Sequence, residues 1–544
     1  MKDILKKTGF WLVLIMLLAL FLRVYGINWG LPDKDYYFSY HSDEVNYLKG
    51  LSQMDPKKLD FNPHFFNWGT WHYFELGLVM AAASLTGMVR LIKLKDFYYA
   101  HPWESAKLYL VGRFLSVFFA LLTVYLVYRI GKRIFKNDRI ALFSAFFMAI
   151  NPAHILSSHY LKADTSVTFW ITASLFFSLC LLDTGRLKYY ILSGLFSGIA
   201  MSAQQNGIFF AHTLFCAHIL RELTFKPPYP GIKRLFSGVK LWAGYLFLVL
   251  SYLAASPYLY LSPAEFMGGF KRIITGQGGG VDFVLRPNLL LDTFRAFNGA
   301  LTIFFTIIIL VGLIRVFFSR RRRELLILFW AAPYLFTILS MAALNIRYQL
   351  PIFPGLLLIG AIFIDSLYRK AALAKLRVFL TLTIIFFSLH AIVYSYVYDR
   401  EMAREPIQKE ATGWMLSNIS PGSVIGIGRN PEIRNCPTII HQDYYYKEKA
   451  LYNIVNLEFN ALALKQKRPE YIVISKREGF AESGGFDLLE NSDFLQALDS
   501  DYDVIKIFQR SPRFLSMELK PSISISDWEL TFPVIYILKR NGLA

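Results

Sequence analysis

Apolar residues run almost unbroken through 10–22, 109–128 and 296–318. Each run approaches the roughly 20 residues that a helix needs to cross a hydrocarbon core. The same pattern predicts spans at 9–25, 108–130, 139–159, 165–184, 189–204, 207–222, 238–260, 292–317, 324–344, 350–368 and 376–398. Residues 72–93 are apolar too, but His72, Glu75 and Arg90 interrupt them, so a re-entrant or interfacial helix is expected there. That choice also keeps the basic cluster Lys132, Arg133 and Lys136 on the inner side. Beyond 399 the pattern changes. Glu410–Asn418 has a helical pattern, and Ser423–Ile427, Tyr471–Ser475, Val504–Phe508 and Val534–Leu538 alternate as strands do. The expected architecture is a polytopic α-helical membrane protein of about 11 transmembrane helices, followed by a small α/β domain outside the membrane. Residues 1–398 form the membrane part, with 26–107 as its first outer region, and 399–544 form the tail.

Composition agrees with this reading. The chain is 55% hydrophobic and only 18% charged, with mean hydropathy +0.38. Its net charge of +19 would suit a nucleic-acid binder. The basic residues, however, collect in the short loops at 186–188, 226–234, 320–323 and 369–377, as the positive-inside rule requires. No nucleic-acid partner is expected. The N-terminus, with Lys2, Lys6 and Lys7, is expected in the cytoplasm of a cell (inner or plasma) membrane, with an uncleaved first span and an extracytoplasmic tail. Cys180, Cys216 and Cys436 suggest neither a disulfide framework nor a zinc site.

With that threading, the informative polar residues gather on one face. His41-Ser42-Asp43-Glu44 follows the first span. Neighbouring helical residues diverge by about 100°, so one carboxylate would act as a base while the other positions. The alternative is a helix N-terminal acidic pair with Ser42 as cap. His64 and Asn67 lie in an aromatic run that could stack on a sugar or serve as an interfacial belt. Lys162 and Asp164 occupy a tight turn between spans, where a snorkelling lysine is the plainer reading and an acid is harder to dismiss. Arg347 and Tyr348 stand at an outer helix end, against the inside bias; an arginine there can pair with phosphate or carboxylate, or simply anchor at the interface. Lys271, Arg272 and Arg286 flank Gly276-Gln277-Gly278-Gly279-Gly280, a lid or a plain connector.

These pieces, in this order, resemble the GT-C membrane glycosyltransferases, in the branch of protein O-mannosyltransferase-like and aminoarabinose-transferase-like enzymes. The Phe21-Leu22-Arg23-Val24-Tyr25-Gly26 run and the His-Ser-Asp-Glu motif are the most specific parts, and the likeness covers about 20–400. Many relatives have Pro where this chain has Ser42, and often a Lys in the region of Gln204-Gln205-Asn206. The resemblance implies inverting transfer of a sugar from a polyprenyl-phosphate carrier to a glycan, lipid or protein acceptor at the non-cytoplasmic face. It makes Asp43 the base and Glu44 a positioning group. His41, His64, Lys162, Asp164, Lys271, Arg272, Arg347 and Tyr348 become substrate-binding candidates, with Arg347 first for the lipid phosphate. No cofactor and no essential metal are implied. The competing class is a lipid or glycolipid transporter or flippase. Such proteins show internal symmetry and broken helices at mid-membrane, and neither signal stands out in the sequence.

Overall fold

The computed structural model describes residues 8–223, 236, 238–274, 288–340, 346–476, 493–514, 517–519 and 531–542. The chain divides into two compact units. The first holds Met1–Ile27, Asn46–Lys93 and Leu108–Asp399; the second holds Asn28–Val45, Leu94–Lys107 and Arg400–Ala544. Two stretches that linear reading groups with the membrane part thus cluster with the tail.

The first unit is helical. Among the described residues, four helices are long and apolar enough to cross a membrane: Pro102–Arg133, Asp164–Thr184, Phe353–Lys370 with the 3-10 turn Ile346–Ile352 that leads into it, and Ala374–Met402. Thr8–Val24, Val239–Ala255 and Ile303–Ser319 are apolar and shorter, at 17 residues each, or about 26 Å. Several expected spans are broken. The stretch expected over 139–159 is two helices, Asp138–Ala149 and Pro152–Ser158, bent by 55°. Pro152 cannot donate to the preceding turn, and the Asn151 side chain caps the new helix by accepting from the His154 N–H at 3.1 Å. The stretch expected over 207–222 starts as a 3-10 turn, Gln205–Phe210, before Thr213–Glu222. That expected over 292–317 divides at Thr302 into Leu289–Leu301 and Ile303–Ser319. The expectation of unbroken spans is corrected by these joints. Trp71–Leu85 has 15 residues, about 22 Å, short of a bilayer core.

Small and polar side chains join the helices. Ser174 pairs with Ser197 at 2.6 Å and Ser178 with Ser193 at 2.7 Å, tying Asp164–Thr184 to Leu187–Ala203. On its other side Leu187–Ala203 meets Val239–Ala255 backbone to backbone. A Cβ on Gly194 would stand 1.9 Å from the Gly244 carbonyl oxygen, so only glycine fits. At the end of Thr8–Val24, the fully buried Arg23 donates to the carbonyls of Ala19 (2.9 Å), Ala149 (2.8 Å) and Met148 (3.2 Å). It also meets His154 Nδ1 at 2.9 Å. The guanidinium therefore satisfies carbonyls that the break at 150–151 strips of helical partners.

The second unit is built on a five-stranded mixed sheet. Its strands are β1 Val424–Ile427, β2 Asn453–Asn456, β3 Tyr471–Ser475, β4 Tyr502–Phe508 and β7 Ile535–Arg540, in the order β2-β1-β3-β7-β4. A separate hairpin pairs β5 Arg513–Phe514 with β6 Met517–Glu518. β1 runs parallel to β2 and β3, and β7 lies antiparallel to β3 and β4. Leu457, Leu464, Ile472, Phe494, Leu498 and Leu538 form a core beneath it. The four strands expected from alternation are present; β2, reading Asn-Ile-Val-Asn, is too short and polar to announce itself.

One half-buried histidine is expected to give this unit a pH dependence. His441 packs edge-on against Tyr36 at 5.6 Å, and its Nδ1 is buried without a hydrogen-bond partner. Burial pushes the imidazole down from 6.5 to about 4. The unfolded chain therefore binds the proton first as pH falls, and stability drops between pH 6.5 and 4. The loss expected across that window is about 2–3 kcal/mol. Melting the full protein at pH 7, 5.5 and 4 should show the decline, and His441→Phe should flatten it. An equally steep decline in that variant would assign the effect elsewhere.

Candidate functional site

The acidic motif lies in the second unit, at the end of a loop held from several sides. Lys409 Nζ reaches Asp33 Oδ2 at 2.8 Å and Asp35 Oδ2 at 3.2 Å. Burial works against that ammonium, but Asp33 and Asp35 outweigh it and raise its pKa above the ordinary lysine value. Tyr40 shares a hydrogen bond with Thr438 Oγ1 at 3.1 Å, and Gln442 donates to the Asp35 carbonyl. Gly30, at φ +57°, lets Tyr40 lie against the backbone, since a Cβ there would be 2.8 Å from the Tyr40 Cβ.

The helix Ser42–Gln53 starts at this point. Ser42 is its first residue, and the capping acceptor is the ring of His41. Its Nδ1 takes the Asp43 N–H at 3.3 Å, and Ser39 Oγ takes the His41 N–H at 3.1 Å. The Ser39 hydroxyl donates to the Glu44 carboxylate. Glu44 and Ser39 are fully buried, whereas Asp43 is half-buried. Two adjacent acids therefore have different surroundings. Glu44 is committed inside the fold; Asp43 keeps an accessible edge at a helix start that favours negative charge.

In the first unit, Lys162 and Asp164 pair at 3.5 Å, both buried, where the helix Asp164–Thr184 begins. The turn is fixed by Ser116 Oγ donating to the Lys162 carbonyl at 3.3 Å. It is also fixed by the Ala163 N–H donating to the Tyr47 hydroxyl at 3.3 Å. Arg347 and Tyr348 sit on a 3-10 helix, Ile346–Ile352, with the guanidinium 5.4 Å from the centre of the Tyr348 ring. Asn206 donates to the Tyr334 hydroxyl at 3.0 Å, which donates to the Tyr348 carbonyl at 2.8 Å. Asp164–Thr184 packs against both this 3-10 helix and Gln205–Phe210. Gln205 donates to the Phe66 carbonyl at 3.3 Å, bringing the aromatic run to the same region.

Around this junction several buried polar atoms have no hydrogen-bond partner among the described residues. They are Asn67 Oδ1, Thr165 Oγ1, Gln204 Oε1, Asn206 Oδ1 and both amide atoms of Gln349. Such atoms are costly unless something satisfies them. Sequence reading missed Thr165 and Gln349, which carry no motif. The polar break Gln204-Gln205-Asn206 was the available signal.

Other candidates have different surroundings. His64 Nδ1 meets Glu265 Oε2 at 3.0 Å, and Asn62 donates to the same oxygen at 3.2 Å. His64 thus ties its loop to the helix Pro263–Ile274. Lys271 and Arg272 are exposed in the last turn of that helix, and Arg272 Nε reaches back to the Gly268 carbonyl at 3.4 Å. Gly276–Gly280 and Arg286 lie outside the described residues. Glu75, which reads in sequence as a flaw in an apolar run, is a buried hub. It accepts from Ser166 (2.6 Å) and Trp170 (2.7 Å) and meets His72 Nδ1 at 2.9 Å. It thereby ties Trp71–Leu85 to Asp164–Thr184.

Comparison with known proteins meets the resemblance seen in the sequence. Residues 107–237 match the family described as dolichyl-phosphate-mannose-protein mannosyltransferase, a GT-C branch. No curated protein matches the chain in sequence. Among solved structures, ArnT from Cupriavidus metallidurans bound to undecaprenyl phosphate is 14% identical. That likeness covers 97% of this chain and 98% of the other, with TM-score 0.47. The Archaeoglobus fulgidus oligosaccharyltransferase AglB, in complex with an inhibitory peptide and a dolichol-phosphate, is 13% identical. It covers 95% of this chain and 75% of its own, with TM-score 0.47. At such values these likenesses bear on neither substrate nor mechanism.

Proposed function

We propose that this protein is a membrane glycosyltransferase that moves a sugar from a polyprenyl-phosphate carrier to an acceptor glycan, lipid or protein at the extracytoplasmic face. The family match over 107–237 supports the class, because the family's description names a lipid-phosphate sugar as donor. The observation that carries the chemistry is the split between Glu44, buried and bonded to Ser39, and Asp43, half-buried beside it. A base must exchange a proton with substrate, and a positioning acid need not.

In this reading Asp43 removes the acceptor proton as the acceptor oxygen attacks the anomeric carbon. The bond from that carbon to the phosphate oxygen breaks, the configuration inverts, and the lipid phosphate leaves. Glu44 and His41 hold the base in place. Arg347 is assigned the departing phosphate, with Lys162, Lys271 and Arg272 as further cations. Asp164 orients Lys162, and Tyr348 supports Arg347. The unpartnered amide oxygens of Asn67, Gln204, Asn206 and Gln349, with the amide nitrogen of Gln349, suit sugar hydroxyls, which both donate and accept. His64, engaged with Glu265, shapes the loop.

The test is reconstitution of the full chain in liposomes with polyprenyl-phosphate sugars and a membrane extract as acceptor. Mass spectrometry should find free polyprenyl phosphate and an acceptor heavier by one sugar, with full yield in excess chelator. Passage of labelled lipid between leaflets without product would identify a transporter instead. Activity lost in chelator and restored by a divalent ion would overturn the metal-free mechanism.

A further inference from the structure

At the opposite ends of the same helices, away from Asp164 and Arg347, the first unit forms an open cavity of about 1390 Å³. It lies between the last turns of Pro102–Arg133, Asp164–Thr184 and Phe353–Lys370 and the joint that links Ile303–Ser319 to Arg322–Leu339. Eight lining side chains are basic and three are acidic. The three acids do not neutralise the cavity; they orient its wall. Asp183 holds Arg323 by two bonds, at 2.9 and 3.0 Å. Glu324 holds Arg315 at 2.9 Å, and Asp365 holds Arg369 at 2.7 Å, both acids being buried. Arg133 is fixed by donating to the Tyr189 hydroxyl at 2.8 Å. Lys136, Arg321, Arg322 and Lys370 complete the basic lining.

The positive-inside rule explains why basic residues populate the loops at this end. It does not explain why three sequence-distant segments bring them to one volume, nor why buried acids spend their bonds fixing arginines around it. Apolar side chains, including Phe135, Leu182, Phe318 and Ile362, line the same space. Phe318 is 76% exposed, a surface that suits an acyl chain more than water. A basic pocket between membrane helices with an apolar flank has the chemistry of a lipid-headgroup site.

We propose that this cavity is a regulatory or structural binding site for a phosphate-bearing anion, whether the headgroup of an anionic membrane phospholipid or a soluble phosphate. It is separate from the proposed transfer site, at the other end of the helices that carry Asp164 and Arg347, and does not depend on that reading. The test uses the full protein, stripped of lipid in neutral detergent, and follows its melting temperature at constant ionic strength. Titrants are phosphatidylglycerol, phosphatidylcholine and inorganic phosphate. Phosphatidylglycerol should raise the melting temperature where phosphatidylcholine does not. In Arg322→Gln/Lys370→Gln the apparent affinity should fall roughly 25-fold, at about fivefold per cation removed. Arg322→Lys/Lys370→Arg keeps the charge and should keep the response, which separates lost binding from lost folding. A response to inorganic phosphate as strong as to phosphatidylglycerol, and lost in the neutralised variant, would support the site with a soluble source. Equal effects of the two lipids without a phosphate response, or an unchanged response in the neutralised variant, would overturn the proposal.

Discussion

Asp43→Asn is expected to reduce sugar transfer by about 10²–10⁴-fold, the usual contribution of a positioned general base, while the protein still folds and inserts. The substitution keeps the shape and the helix start, in which His41 Nδ1 accepts from the backbone N–H of residue 43 and not from its side chain. What it removes is the capacity to take a proton. Glu44→Gln gives the contrast. Ser39 can still donate to the amide oxygen, so part of the local structure survives. That variant should lose less activity and keep the pH dependence of the rate. Asp43→Asn should lose the limb that reports the base. Initial rates across pH, alongside melting temperatures of both variants, make the comparison. Wild-type transfer by Asp43→Asn would remove the proposed base. Equal pH profiles for wild type and Asp43→Asn would do the same.

Arg23→Leu is expected to be the most damaging single change to folding, by roughly 3–5 kcal/mol, the cost of breaking a buried charged network at one partner. The guanidinium serves three carbonyls and one imidazole nitrogen, and Ala149 and Met148 stand where a helix has just been broken. Leucine fills much of the volume but leaves the Ala149 and Met148 carbonyls without donors in a region sealed from water. Arg23→Lys restores a charge but not the planar fork, so it should recover only part of the loss. Thermal melts in detergent, with the monodisperse yield of purified protein, provide the measurement. A melting temperature within about a degree of wild type for Arg23→Leu would show that the network contributes little.

Much of the architecture is legible in the sequence because a bilayer imposes a local rule. Contiguous apolar residues must bury themselves, and basic residues prefer one side. The membrane helices, the strands at Tyr471–Ser475 and Val504–Phe508, and the acidic loop all come from such local patterns. The difference between Asp43 and Glu44 does not. Both are acids in a first turn, and only the fold around Ser39 makes one of them an interior group.

Sequence alone determined which segments seek the membrane and where the ionisable groups cluster along the chain, since hydropathy and charge belong to each residue. The tertiary structure decided where helices break, and that Glu75 is a hub and not a flaw. It also decided that Thr165 and Gln349 stand buried without partners, and that three basic stretches distant in sequence close on one cavity. These outcomes depend on which distant groups meet, and hydrogen-bond satisfaction and pairing of charge are properties of a neighbourhood that no single stretch of chain contains.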